Sequence, residues 1–287
     1  MKNTLLSIGH GYTARALAPI LLKDGWAVIG TTRGADETDA LRAQGVTPLV
    51  WPGEDVSAAL AQATHILISP APDENGDPVL NGLREQIATQ SDHICWVGYL
   101  STTGVYGDHQ GGWVDETTPL NPATRRGQLR VHAEAEWQTF ATKTSLTLQI
   151  FRLAGIYGPG RGPFEKVRNG TARCIIKPDQ VFSRIHVDDI AQTLAASMVR
   201  PNPGGIYNLC DDDPAPPQDV IGYAAELLDL PVPPSIPWAK ANLTPMARSF
   251  YAESKKVRND RIKTELGINL KYPDYRSGLQ ALLKQEN

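Results

Sequence analysis

Thr4-Leu5-Leu6-Ser7-Ile8-Gly9-His10-Gly11-Tyr12-Thr13-Ala14 runs a short apolar stretch straight into a glycine turn. From Ala14 to Leu22, apolar residues (Ala14, Leu17, Ala18, Leu21, Leu22) recur at near-helical spacing, so the segment predicts strand, turn, helix. Gly25 closes that helix, and the run from Trp26 to Thr32 reads as a second strand. The pattern then repeats. Leu41 to Gly45 and Val46 to Trp51 suggest a helix end and a strand, and His65 to Ser69 a fourth strand. Ile94 to Leu100 and Leu146 to Leu153 are further β-rich runs, with helical stretches at Leu80 to Gln90 and Leu129 to Phe140. Strands alternating with helices need crossover connections, which predicts an α/β fold with a doubly wound parallel sheet.

After Gly155 the pattern loosens into loop signals: Gly158 to Pro163, Pro201 to Gly205, Pro214 to Pro217 and Pro231 to Pro237. Ile190 to Met198 and Val220 to Leu230 look helical between them, and Ile206 to Leu209 looks like a strand. The reading is a Rossmann domain over residues 1–165, with return elements around 181–200, and a smaller C-terminal substrate lobe over 166–287 that interleaves with it.

The 287 residues are 41% hydrophobic and 21% charged, which suits a folded globular chain rather than a disordered one. Lys and Arg number 28 against 31 Asp and Glu, so no global basic field exists to collect nucleic acid. Cys95, Cys174 and Cys210 are widely spaced with no CxxC pair, which speaks against a disulfide framework or a zinc site. Met1 to Ile8 lacks a signal peptide's long apolar centre, and no stretch reaches the ~20 apolar residues of a membrane span. A cytoplasmic location, no membrane partner and no metal are expected.

Gly9-His10-Gly11-Tyr12-Thr13-Ala14 fits G-x-G-x-x-A between strand and helix. Gly9 and Gly11 let the backbone approach a pyrophosphate, Ala14 lets helix pack on strand, and the Tyr12-Thr13 end presents free N–H groups. A plain connecting turn would look the same in isolation; the following strand, helix and strand favour dinucleotide binding. NAD-binding versions place a carboxylate at the end of the second strand, where this chain has Thr32 and Arg33. A hydroxyl and a guanidinium can donate to a ribose 2′-phosphate, so NADP(H) is favoured over NAD(H), with Asp36 the nearby acid that could argue otherwise.

Four further segments carry a resemblance. Ser101-Thr102-Thr103-Gly104-Val105-Tyr106-Gly107, then Asp115-Glu116 with Pro119, then Arg152-Leu153-Ala154-Gly155-Ile156-Tyr157-Gly158-Pro159-Gly160-Arg161, then Ile185-His186-Val187-Asp188-Asp189-Ile190-Ala191 follow in order. Together with the glycine loop they resemble the extended short-chain dehydrogenase/reductases, the NAD-dependent epimerase/dehydratase superfamily. The ends of the chain, Gly9 to Arg15 and Ser254 to Leu279, look more narrowly like an atypical bacterial branch of it. The resemblance implies an oxidoreductase or epimerase acting on a small polar carbonyl, alcohol or sugar-like substrate. It also implies that Ser69, Pro70 and Ala71 pass the cofactor, that Leu153 and Ala154 lie near its nicotinamide end, and that Thr102 orients the substrate. Relatives often dimerise through Rossmann-domain helices, an assembly open to this chain.

One departure puts turnover in question. Where the family has Y-x-x-x-K followed by Glu, this chain has Arg126, Arg130 and Glu134. A guanidinium cannot cycle a proton near neutral pH, so Arg126 cannot replace the tyrosine, although Arg130 can still hold cofactor or substrate. Tyr106 is the expected substitute for proton exchange, with Tyr157 second. His186, His10 and His132 are weaker candidates, His186 being expected to dock the substrate lobe. Arg125, Arg126 and Arg130, with Arg161 nearby, suggest a clamp for an anionic substrate group. Lys255, Lys256, Arg258, Arg261 and Lys263 read as an exposed helix face. Two functions follow: an NADP(H)-dependent enzyme, or a dinucleotide sensor without turnover.

Overall fold

The computed structural model describes residues 2–286. Seven strands build the central sheet: β1 (Thr4–Ile8), β2 (Ala27–Thr32), β3 (Thr47–Val50), β4 (His65–Ile68), β5 (Trp96–Thr102), β6 (Leu148–Leu153) and β7 (Ile206–Leu209). They lie in the order β7-β6-β5-β4-β1-β2-β3, and every pairing is parallel. The order reverses at β1 and β4, which opens a crevice at their C-terminal ends, the place where such sheets bind ligands.

A sheet covered on both faces has no reason to alternate polar with apolar residues, and these strands do not. Leu5 packs into the core on one face and its neighbour Leu6 into the core on the other; Leu67 and Ile66 divide in the same way. The first face is covered by the helices Tyr12–Lys23 and Val187–Val199, which pack against each other. The second is covered by Pro78–Thr89 and Arg125–Thr144. Burying each large aliphatic side chain contributes about 1.5–3 kcal/mol, so the two cores hold the sheet rigid beneath the crevice.

The return to the sheet goes further along the chain than the expected 181–200, because Ile206–Leu209 pairs with β6 through Ile206↔Ile150 and Leu209↔Leu153. A third core, containing Tyr157, Phe164, Val220, Tyr275 and Leu279, lies in the other lobe. Cys174–Ile176 pairs with Ser235–Pro237 inside this lobe, while two small two-stranded ladders tie it on, Gly155–Tyr157 with Arg184–His186 and Trp113–Val114 with Lys256–Val257. The last ladder corrects one expectation. The basic stretch from Lys255 is not one exposed helix face, since Lys256–Val257 is a strand, the helix spans only Asp260–Thr264, and Lys255 is buried. Among the described residues no helix is long and apolar enough to cross a membrane, and no group of His, Cys, Asp or Glu is placed to hold a metal ion.

Candidate active site

A cavity of about 1550 Å³ runs along the C-terminal ends of the strands, from β2 and β3 across the glycine loop to β5, β6 and the second lobe. At its centre, Gly9 takes a left-handed φ of +75° and its N–H donates to Thr31 Oγ1 at 2.8 Å, while the His10 N–H donates to Thr31 O. β2 therefore pins the loop in its turn. Gly11 caps the Tyr12–Lys23 helix without any side-chain acceptor, so the first N–H groups of that helix keep their donors for a ligand. A Cβ on Gly11 would meet only Gly9 O, at 3.9 Å, so a side chain there would project into open cradle space. Ser69 Oγ is buried with no hydrogen-bond partner and lines the same space. An anion-accepting cradle with an orphaned hydroxyl fits a dinucleotide pyrophosphate. His10 sits beneath the loop, buried, and burial with Arg15 nearby pulls its ring down to about 4, so it is neutral at physiological pH.

Gly9, Gly11, Tyr12, Thr13, Thr32, Arg33, Ser69, Pro70, Ala71, Leu153 and Ala154 all line this cavity. Ala14 does not; it is buried in the core beneath the loop, the packing role its small size allows. At the β2 end Thr32 is buried, with its hydroxyl 3.4 Å from Gly34 O, while Arg33 is exposed on the rim. The carboxylate at this end comes from Glu37 rather than Asp36, and Glu37 is held in an ion pair by Arg15.

Thr102 and Arg130 line the cavity at the β5 end. Thr102 Oγ1 accepts from the Gly104 N–H at 3.2 Å, which leaves its hydroxyl proton to donate. Thr124 caps the Arg125–Thr144 helix, and Gly127 in its first turn lies so close to the Thr103–Tyr106 turn that a Cβ there would sit 2.8 Å from Gly104 O. That contact seats the helix start on the turn that Thr102 caps, and Arg126 and Arg130 line the same cavity as Thr102. Arg130 Nη1 donates to Tyr99 Oη at 2.9 Å and Leu100 O at 2.7 Å, and Arg126 also lines the cavity. Arg125 turns away to Glu74 on the surface, so the expected basic set divides.

Tyr106 is a correction. It is fully buried and absent from the cavity wall; its hydroxyl donates to Asn208 Oδ1 at 2.7 Å and accepts from Arg152 Nη1 at 3.0 Å. Burial, the dominant cause, pushes it up to about 12, and it cannot reach substrate. Arg152 in turn holds Glu134, which also accepts from Ser101, so Glu134 serves a buried network. Tyr157 lines the cavity, but its hydroxyl points to Asp274 O at 3.4 Å, against the Tyr275–Glu286 helix. His186 is buried, accepts from the Asp188 N–H, and packs against Tyr272 with ring centres 4.0 Å apart, a docking role. His132 is a surface residue.

No family model matches this chain. It is 31% identical over 284 residues to protein YeeZ of Escherichia coli strain K12, covering 93% of this chain and 95% of that one. The chain belongs to the YeeZ family. A solved structure of a functionally unknown conserved protein from Silicibacter pomeroyi DSS is 62% identical, with TM-score 0.94 and full coverage of both chains. The same fold recurs in the UDP-glucuronic acid 4-epimerase of Bacillus cereus in complex with NAD, 17% identical with TM-score 0.77 over 99% of each chain. It recurs again in the dTDP-glucose 4,6-dehydratase of Bacillus anthracis with NAD, 16% identical with TM-score 0.79 over 100% of this chain and 97% of that one.

In this YeeZ-family protein, Glu253 and Arg184, which no motif marks, complete the far wall together with Lys255. Lys255 and Glu253 form a pair at 2.6 Å, with side chains 10% and 11% exposed, and Lys255 Nζ also donates to Gly107 O at 2.7 Å. Glu253 Oε1 has no hydrogen-bond partner. Arg184 lines the wall too, fixed by Phe182 O and Ala215 O. In the sequence Lys255 stands only within a run of basic residues, and its partner Gly107 lies 148 residues away.

Proposed function

We propose that this protein is an NADP(H)-dependent oxidoreductase of the epimerase/dehydratase type, acting on a small polar, anionic carbonyl or alcohol. One observation carries the reading: a single cavity joins an uncapped glycine-loop helix end, a rim guanidinium at Arg33 and a free hydroxyl proton at Thr102. Gly9, Gly11 and the Tyr12–Lys23 helix end hold the pyrophosphate, Ser69 donates to it, and Arg33 takes the 2′-phosphate. The bound nicotinamide supplies hydride chemistry. Thr102 orients the substrate oxygen and Arg130 holds the adjoining ribose or substrate. With both candidate tyrosines turned away, proton exchange falls to Lys255, whose charge Glu253 supports. Calorimetric titration with NADPH and NADH tests the reading: NADPH is expected to bind at least about tenfold tighter, and equal binding removes the assignment to Arg33.

A second reading, a dinucleotide sensor without turnover, is favoured by Arg126 standing at the family's tyrosine position while Tyr106 and Tyr157 are both committed elsewhere. It requires two conformations that differ in dinucleotide affinity. A conformational change on NADPH binding, with no oxidation of NADPH across a panel of anionic carbonyl compounds, supports it.

A further inference from the structure

Six cationic side chains line the cavity against three carboxylates. Two of those carboxylates are already paired, Glu37 with Arg15 and Glu253 with Lys255. The imbalance concentrates at Arg126. Its neighbour Arg125 is neutralised by Glu74, whereas the charged groups acting on Arg126 are Arg130 and Arg161, both cations. Arg126 is exposed at the cavity mouth, and desolvation followed by the two neighbouring guanidiniums holds it below the ordinary arginine range. Arg161 lies over the Tyr12 ring, 5.6 Å from its centre, and so faces the glycine loop across the cleft. Arg130 commits Nη1 to Tyr99 and Leu100, and its fork is thereby fixed in the wall.

The close Gly127–Gly104 contact makes this placement specific. It seats the start of the Arg125–Thr144 helix directly on the turn that Thr102 caps. We propose that Arg126 and Arg130 form the subsite for the substrate's carboxylate or phosphate beside the Thr102 hydroxyl, making the substrate a carbonyl or hydroxy compound whose anionic group lies close to its reacting carbon. The proposal rests on the oxidoreductase reading for its mention of a reacting carbon. The position that gives relatives a proton donor here gives a fixed cation, and a planar guanidinium pair is suited to bidentate capture of an oxyanion.

The test saturates the protein with NADP+, so that the glycine loop is filled, and titrates matched probes by calorimetry and ligand-observed NMR. Pyruvate is compared with methyl pyruvate, and dihydroxyacetone phosphate with dihydroxyacetone. At least one charged probe is expected to bind about tenfold or more tighter than its neutral partner, and which one does so separates carboxylate from phosphate. Arg126→Ala abolishes that preference, Arg126→Lys keeps part of it, and Arg125→Ala leaves it intact. Two results overturn the proposal: no charge preference in the unaltered protein, or a preference that survives Arg126→Ala, whether or not that variant also loses NADP+ affinity. Failure of NADP+ to bind would instead remove the oxidoreductase reading, and the same probe pairs on the unliganded protein then decide the subsite alone.

Discussion

The Glu134 carboxylate and the Arg152 guanidinium meet at 2.7 Å with side chains only 3% and 4% exposed, joining the Arg125–Thr144 helix to β6. Removing one partner of a buried pair leaves the other charge without compensation, which costs about 3–5 kcal/mol. Glu134→Ala is expected to lower the urea unfolding free energy by that order. A loss below about 1 kcal/mol would show that water or another group takes over the Arg152 charge.

Tyr106 shares that network, so its substitution separates structure from chemistry. Tyr106→Phe leaves Asn208 and Arg152 each without one bond, a cost of about 1–3 kcal/mol. The expected outcome is reduced thermal stability with NADPH affinity unchanged. A variant of full stability but altered NADPH affinity would return Tyr106 to the cavity.

His10 and His65 are both buried, and burial lowers each to about 4 from 6.5. Between those values the unfolded chain takes up protons that the folded chain refuses, so stability is present above about pH 6.5 and declines as pH falls toward 4. Each histidine contributes a slope of about 1.4 kcal/mol per pH unit in that window. Urea midpoints measured from pH 7 to pH 5 should fall, and His65→Gln should flatten the curve; an unchanged slope in that variant would show that His65 protonates in the native state.

Arg33 is on the rim while the Glu37 carboxylate beside it is held by Arg15. Arg33→Ala should weaken NADPH by about tenfold and NADH by much less, whereas Glu37→Gln should narrow no such gap against NADPH. Equal losses for both dinucleotides on Arg33→Ala would place the guanidinium against a shared part of the cofactor.

Lys255→Met provides the test of proton exchange. Turnover of an accepted carbonyl substrate should drop by about a hundredfold or more with NADPH affinity retained, within the range for a general acid. Turnover unchanged in Lys255→Met would assign the proton to bulk water.

What the sequence determined by itself is local. Strand, glycine turn and helix at Thr4 to Leu22, the alternation that makes the parallel sheet, and the loop residues Gly9 to Thr13 are fixed by contacts within a few positions, so periodicity and turn chemistry suffice to read them. Thr102 was legible for the same reason, as a strand end before a short turn. The fate of a side chain beyond its own element is decided by residues far along the chain. Tyr106 looks like a cavity residue until Asn208, 102 positions later, and Arg152 take its hydroxyl. Lys255 looks like a solvated charge until Gly107 and Glu253 enclose it. Arg125 and Arg126 are adjacent in sequence, and only the approach of Glu74 to one of them separates a surface ion pair from a cation facing the cavity. A side chain's partner is a tertiary contact, and burial then makes each unsatisfied group costly enough to fix the choice.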